Sequence, residues 1–184
     1  MRNSGYIRAH EYSSNHRREI PESEKCGCFY CLTIFNSTEI TEWIDEIDEI
    51  GQTALFPGCN IDSVIGSKSG FPINREFLEL MRQHWFENLI ITDFIKWGVN
   101  LEIPPSFYFW EKSLASEIDL VISVGGMIIP VEIKYSSEWS NKYLHGIDMF
   151  KEKHNKKGIT IPFSLIIYRG DFLMLREDVF VIPV

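Results

Sequence analysis

The chain has 184 residues, 45% hydrophobic and 24% charged, which suits one medium or two small globular domains burying roughly 70% of the unfolded surface and excludes wholesale disorder or a coiled coil. A formal net charge of −8 argues against broad, sequence-independent adhesion to nucleic acid, because such binding rests on Lys and Arg neutralising phosphates. "NLIITDFIKW" is too short and too charged to supply the ~20 apolar residues of a membrane span, and "MRNSGYIRAHEYSSNHRREI" lacks the apolar region of a signal peptide, so a cytoplasmic protein with no membrane partner is expected.

Residues 1–25 are polar and without periodicity, and read as a loose lead-in. "CGCFYC" then groups Cys26, Cys28 and Cys31, with Cys59 distant; in a reducing compartment this suits a metal site better than a disulfide framework. The stretch "STEITEWIDEIDEI" predicts a helix, capped by Ser37 or Thr38, with Ile40, Trp43, Ile44 and Ile47 as its apolar stripe. "TALFPGCNIDSVIGSKSGFPIN" reads as short strands and turns, broken at Pro57-Gly58 and over residues 66–70.

Residues 74–97 turn helical, with Phe77, Met81, Trp85 and Leu89 at three- and four-residue spacing, as one helix or two joined near Phe86. Pro104-Pro105 stops helix formation, and "FYFWEKS" is an aromatic strand. "SEIDLVISVGGMIIPVEIKYS" predicts a hairpin about Gly125-Gly126. A helix capped near Ser136 or Ser137 and ended by Gly158 follows, then "PFSLIIYRG" and "DVFVIPV" as strands. A strand, helix, strand passage between Ile128 and Tyr168 implies one parallel pairing in an otherwise antiparallel sheet. Trp43, Trp85, Trp97, Trp110 and Trp139 are expected to anchor cores.

Within the hairpin, Val124 should face Met127, Ile122 Ile129, Leu120 Val131 and Ile118 Ile133, giving one uninterrupted apolar face whose register cannot slip. The opposite face then carries Asp119 across from Glu132 and Glu117 across from Lys134. Facing carboxylates destabilise a ladder unless a cation separates them, and a hard ion such as Mg²⁺, held by one or two carboxylates with water and phosphate oxygens, would do so. Lys134 would hold an ammonium at the same place, suited to offsetting phosphate charge. The alternative is a solvated face of mixed charge in which Lys134 pairs with Glu117.

"EIDLVI" followed by "IIPVEIKYS" resembles the D…(D/E)xK signature of restriction-endonuclease-like folds. Over roughly residues 85–184, "WFENLIITDFIKW", "FYFWEKS" and the hairpin resemble the nuclease-like domain, of unknown function, at the C-terminal end of prokaryotic AAA-type ATPases. That resemblance implies Asp119 and Glu132 as metal ligands, Lys134 as the catalytic-type lysine and Glu87 as an extra acidic position, with nucleic acid as substrate or partner. No G-x-x-x-x-G-K-[ST] loop occurs in the chain, so ATP hydrolysis is not expected.

Residues 16–86, through "CGCFYCLTIF" and "TALFPGCNIDSVIG", resemble small bacterial cytoplasmic proteins with a treble-clef-like zinc finger. Cys28 and Cys31 fit the first knuckle and Cys59 the last ligand, while Phe56 stands where the pattern has a cysteine. A four-ligand Zn²⁺ site would then have to recruit Cys26, His10 or His16. The expected architecture is an α+β zinc-finger-like N-terminal part (26–85) fused to an α/β restriction-endonuclease-like domain (86–184), with a mixed sheet in αβββαβ order. The two functional expectations are a Mg²⁺-dependent nuclease-like protein and a noncatalytic module that binds nucleic acid or a protein partner.

Overall fold

A computed structural model describes residues 5–113, 116–155 and 159–184. It divides into two compact units, one ending at His84 and one beginning at Trp85.

In the N-terminal unit, helix α1 (Gly5–Ala9) is followed by strands β1 (Cys26–Cys28), β2 (Ile34–Phe35), β3 (Trp43–Ile47), β4 (Ile50–Ala54) and β5 (Val64–Gly66), and by the first part of helix α2 (Arg75–Gly98). β1 is central in an antiparallel sheet of order β2-β1-β5. Gly27 is required there, because a Cβ at this position would lie 2.8 Å from Leu78 on α2. Ile20, Cys26, Cys28, Phe35, Ala54, Phe56 and Val64 form the core.

Residues 5–25 are not the loose lead-in the sequence suggests: Ala9, His16, Ile20 and Ser23 are buried. The His16 ring is fixed at both nitrogens, Nδ1 against the Tyr12 carbonyl at 3.0 Å and Nε2 accepting the Ala54 N–H at 3.0 Å. Isolated anchors on irregular backbone leave no periodic pattern to read.

The helix expected over "STEITEWIDEIDEI" is also absent. The cap is Asn36 and not Ser37 or Thr38: Asn36 N donates to Glu39 Oε1 at 2.8 Å, closing a single 3-10 turn over Ser37–Glu39. The chain then forms the β3–β4 hairpin, pairing Trp43 with Ala54 and Ile47 with Ile50. Asp48 and Glu49 both adopt positive φ, which makes the two-residue turn of a right-twisted hairpin. β-branched Ile residues favour a pleated strand over a helix, and Ile47, which the helical stripe would have buried, is instead exposed beside its hairpin partner Ile50.

The C-terminal unit holds the rest of α2, then β6 (Ser106–Ser113), β7 (Ser116–Val124), β8 (Met127–Lys134), α3 (Leu144–Asn155), β9 (Ser164–Tyr168), β10 (Leu173–Arg176) and β11 (Val179–Pro183). Its mixed sheet has the order β10-β11-β9-β8-β7-β6. β8 with β9 and β9 with β11 are parallel, and the other pairs antiparallel. The parallel β8–β9 step across α3 answers the strand, helix, strand pattern, but β9 with β11 is a second parallel pair in a sheet expected to be otherwise antiparallel, because a third strand, β10, comes between them in the chain and turns β11 back. Phe86 and Ile90 of α2, which is one continuous helix, pack on Leu120, Ile122, Val131, Ile133 and Ile167. Ile147 and Phe150 of α3 pack with Ile118, Val121, Ile166 and Val181.

α3 begins later than its predicted cap. Ser136 closes a local turn, accepting the Glu138 N–H and donating to the Glu138 carbonyl, and the cap is Ser140, which accepts from Lys142 N ahead of the 3-10 turn Asn141–Tyr143. Gly158, expected to end the helix, lies outside the described residues. Trp97, expected in a core, is 59% exposed; the last turn of α2 meets Pro105 and, on β6, Phe107 at Gly98.

Candidate functional site

The hairpin pairs Leu120 with Val131, Ile122 with Ile129 and Val124 with Met127 around Gly125-Gly126, both at positive φ. The ladder ends at Leu120 and Val131 and does not continue to Ile118 and Ile133. Against β6, Tyr108 faces Val121 while Trp110 faces Ile118, so β7 holds one extra residue at Asp119–Leu120. That bulge turns Ile118 to the α3 side, while Leu120 and Ile122 stay with α2. The predicted uninterrupted apolar face is therefore split, and the bulge re-aims Asp119, as bulges near functional sites do.

Released from the ladder, Asp119 uses its carboxylate in place of a main-chain partner: Oδ2 accepts the Ile133 N–H at 2.7 Å. The same oxygen lies 3.2 Å from Lys134 Nζ, which also sits 2.7 Å from Glu132 Oε1. Two carboxylates thus converge on one ammonium. Lys134 pairs with Asp119 and Glu132, not as the cross-strand partner of Glu117 that a mixed-charge face would predict. Asp119 and Glu132 are both buried, and Lys134 is partly open to solvent.

Burial raises the carboxyl of Asp119 to about 6, against the pull of Lys134 and with a further push from Glu87. Burial and then Asp119 raise Glu132 to about 8. Burial opposes the charge of Lys134, but the two carboxylates outweigh it and hold the ammonium above its ordinary value. Glu132 Oε2 is buried with no hydrogen-bond partner among the described residues. A buried oxygen without a donor is costly, so this atom is suited to a cation or a proton.

Gly146 belongs to this site, although nothing in the hairpin pattern pointed to it. A Cβ there would stand 2.5 Å from the Glu117 carbonyl oxygen and 3.6 Å from Glu132 Oε2, so α3 lies against the carboxylates because residue 146 has no side chain. The available signal was a glycine inside the helical run "YLHGIDMF". Glu87 affects Asp119 and Lys134 through its charge, but it does not join them in a close ligand group. Among the described residues, the one set of three or more His, Cys, Asp or Glu ligand atoms converging within 4.8 Å is Cys28, Cys31 and Cys59.

That cysteine set is built from two turns of the same form. The Cys28 carbonyl accepts the Leu32 N–H at 2.8 Å, and the Phe56 carbonyl accepts the Asn60 N–H at 2.8 Å. Leu32 and Asn60 both take positive φ. Cys31 in the first turn corresponds to Cys59 in the second, and Cys28 corresponds to Phe56. Cys28 Sγ lies 3.6 Å from Cys59 Sγ and 3.1 Å from Ser63 Oγ, and Cys31 Sγ lies 3.3 Å from Thr33 Oγ1.

Burial pushes the Cys28 thiol up and the Cys59 thiol up to about 12. At Cys31 burial is outweighed by Thr33, and the thiol is lowered. The three residues could hold a metal ion. They fall one donor short of a closed structural zinc site, and the expected recruits do not supply it. Cys26 is buried in the core outside the cluster, His16 has both nitrogens engaged, and His10 Nε2 contacts the Met81 carbonyl at 3.1 Å.

No helix among the described residues is long and apolar enough to cross a membrane. No curated protein and no solved structure matches the chain. The family described as "Domain of unknown function (DUF4143)" matches residues 82–184, the segment that carries α2 from its middle onward, the whole mixed sheet and the Asp119–Glu132–Lys134 cluster. With more than half of its length matched, the chain belongs to the DUF4143 domain family.

Proposed function

We propose that residues 86–184 form a restriction-endonuclease-like domain of the kind found at the C-terminal end of AAA-type ATPases, acting as a metal-dependent nuclease-like phosphodiesterase in the cytoplasm. The observation that carries this reading is the convergence of two buried carboxylates, Asp119 and Glu132, on Lys134 Nζ. A hydrophobic sheet has no structural need for three ionisable groups in mutual contact, and groups with perturbed pKa values concentrate where chemistry is done. Asp119 and Glu132 are the residues that would hold Mg²⁺, and the unpartnered Glu132 Oε2 fits that assignment. The ion would supply Lewis-acid stabilisation of charge developing on a phosphate oxygen.

The chain's own residues do the rest. Asp119 is held by the Ile133 N–H, so its free oxygen is oriented before anything binds. Lys134 keeps a positive charge beside the pair, where it would offset charge on a bound phosphate. Glu87 sets the local field without entering the cluster. Residues 26–85 we read as a degenerate treble-clef-like finger that assists placement of nucleic acid.

The test is cleavage of plasmid DNA and of a labelled RNA by the purified full chain with Mg²⁺ or Mn²⁺, beside Asp119→Asn and Lys134→Ala. Cutting by the parent that falls by a factor on the order of 100 or more in both variants is the expected result. Equal cutting by all three proteins would mean a contaminant. Absence of cutting would favour the noncatalytic reading, a module binding nucleic acid or a protein partner, which the neutralising Lys134 and the acidic net charge also suit.

A further inference from the structure

We propose that Cys28, Cys31 and Cys59 form a three-coordinate site for a soft, thiophilic cation of the copper(I) class, and not a closed zinc site. This deepens the finger reading of residues 26–85. Two turns of the same form present four equivalent corners, and three of them carry sulfur. The fourth is Phe56, buried and stacked on Phe35 with ring centroids 4.2 Å apart.

The ring is held in that corner. A Cβ on Gly58 would lie 2.6 Å from Phe56 Cε1, so the ring rests on the backbone of its own turn, with Phe35 on another side. The corner is apolar, and among the described residues no further His, Cys, Asp or Glu ligand atom joins the three sulfurs. Ser63 Oγ, 3.1 Å from Cys28 Sγ, is a hard hydroxyl placed to support a sulfur and ill suited to ligate a soft ion.

Ligand type and ligand number then select the ion together. Thiolates favour copper(I) and zinc among common cellular metals, but structural zinc takes four ligands in a tetrahedron. A monovalent soft ion content with three sulfurs is left as the better fit. Binding replaces thiol protons, which pass to solvent, and no electron is transferred.

The experiment is an anaerobic titration of the full chain with copper(I) against bicinchoninate, read by thiolate-to-copper absorption in the near ultraviolet, with a parallel zinc titration against a chromophoric chelator. One copper(I) per chain is expected, lost in Cys31→Ser, a change at an exposed position. Phe56→Cys, which restores the fourth corner, is expected to raise zinc affinity by a factor on the order of 100. Copper(I) binding that survives Cys31→Ser overturns the proposal, and so does wild-type zinc affinity equal to that of Phe56→Cys. Tight zinc in the wild type would defeat the selectivity while leaving the finger reading intact, whereas binding of neither ion would defeat both. The Cys31→Ser comparison decides the matter alone if Phe56→Cys does not fold.

Discussion

Lys134 separates two acids that would otherwise face each other inside the sheet. Its replacement by Met would leave a buried charge without a partner, a change that costs about 3–5 kcal/mol when made in an ion pair. The size of that cost should follow pH. Asp119 is raised to about 6 and Glu132 to about 8 by burial, above their unfolded values near 4. Each therefore contributes most to stability when protonated, below about pH 4, and that contribution is lost as pH rises through the folded values. Lys134→Met should raise both carboxyls further, so denaturant unfolding should show a small loss at pH 4.5 and a large one at pH 8. A loss that does not vary with pH would mean that the lysine matters only for packing. The identities of Asp119, Glu132 and Lys134 were legible in the sequence, because a two-residue turn and a period of two fix which side chains share a face. Their geometry was not, because the bulge at Asp119 goes with Ile118 packing on α3, a contact with residues far along the chain.

Two elements offer sharper tests of how this sequence selects its local structure. The β3–β4 turn places Asp48 and Glu49 at positive φ, where Glu is strained and Gly is not. Asp48→Asn with Glu49→Gly should stabilise the N-terminal unit by on the order of 1 kcal/mol in thermal or denaturant unfolding; a helix in this region would instead be weakened by the added glycine. At α3, Gly146→Ala would place a methyl 2.5 Å from the Glu117 carbonyl, forcing the helix off the strand at a cost of about 1–3 kcal/mol. The β3–β4 region was misread because Ile40, Trp43, Ile44 and Ile47 fit a helical stripe as well as they fit a hairpin. Only the turn geometry and the fate of Ile47 and Ile50 distinguish the two. The C-terminal elements were easier, since glycine, proline and aromatic runs separate them, yet the extra strand β10 is a short run without alternation strong enough to stand out.

At the scale of the whole chain, the mixed sheet follows from order alone: a hairpin, then a helix, then a strand that must return beside β8. Where the proposed function would sit does not follow from order, and the proposal rests on the carboxylate pair and its lysine. The net charge of −8 makes a divalent ion the expected condition for any contact with nucleic acid, so binding without added metal should be weak. The most direct measurement of the central claim is a calorimetric titration of the full chain with Mn²⁺, the thiols first blocked by alkylation. One equivalent bound by the parent and lost in Asp119→Asn would establish the pair as a cation site. No binding by the parent, or binding unchanged in Asp119→Asn, would contradict it.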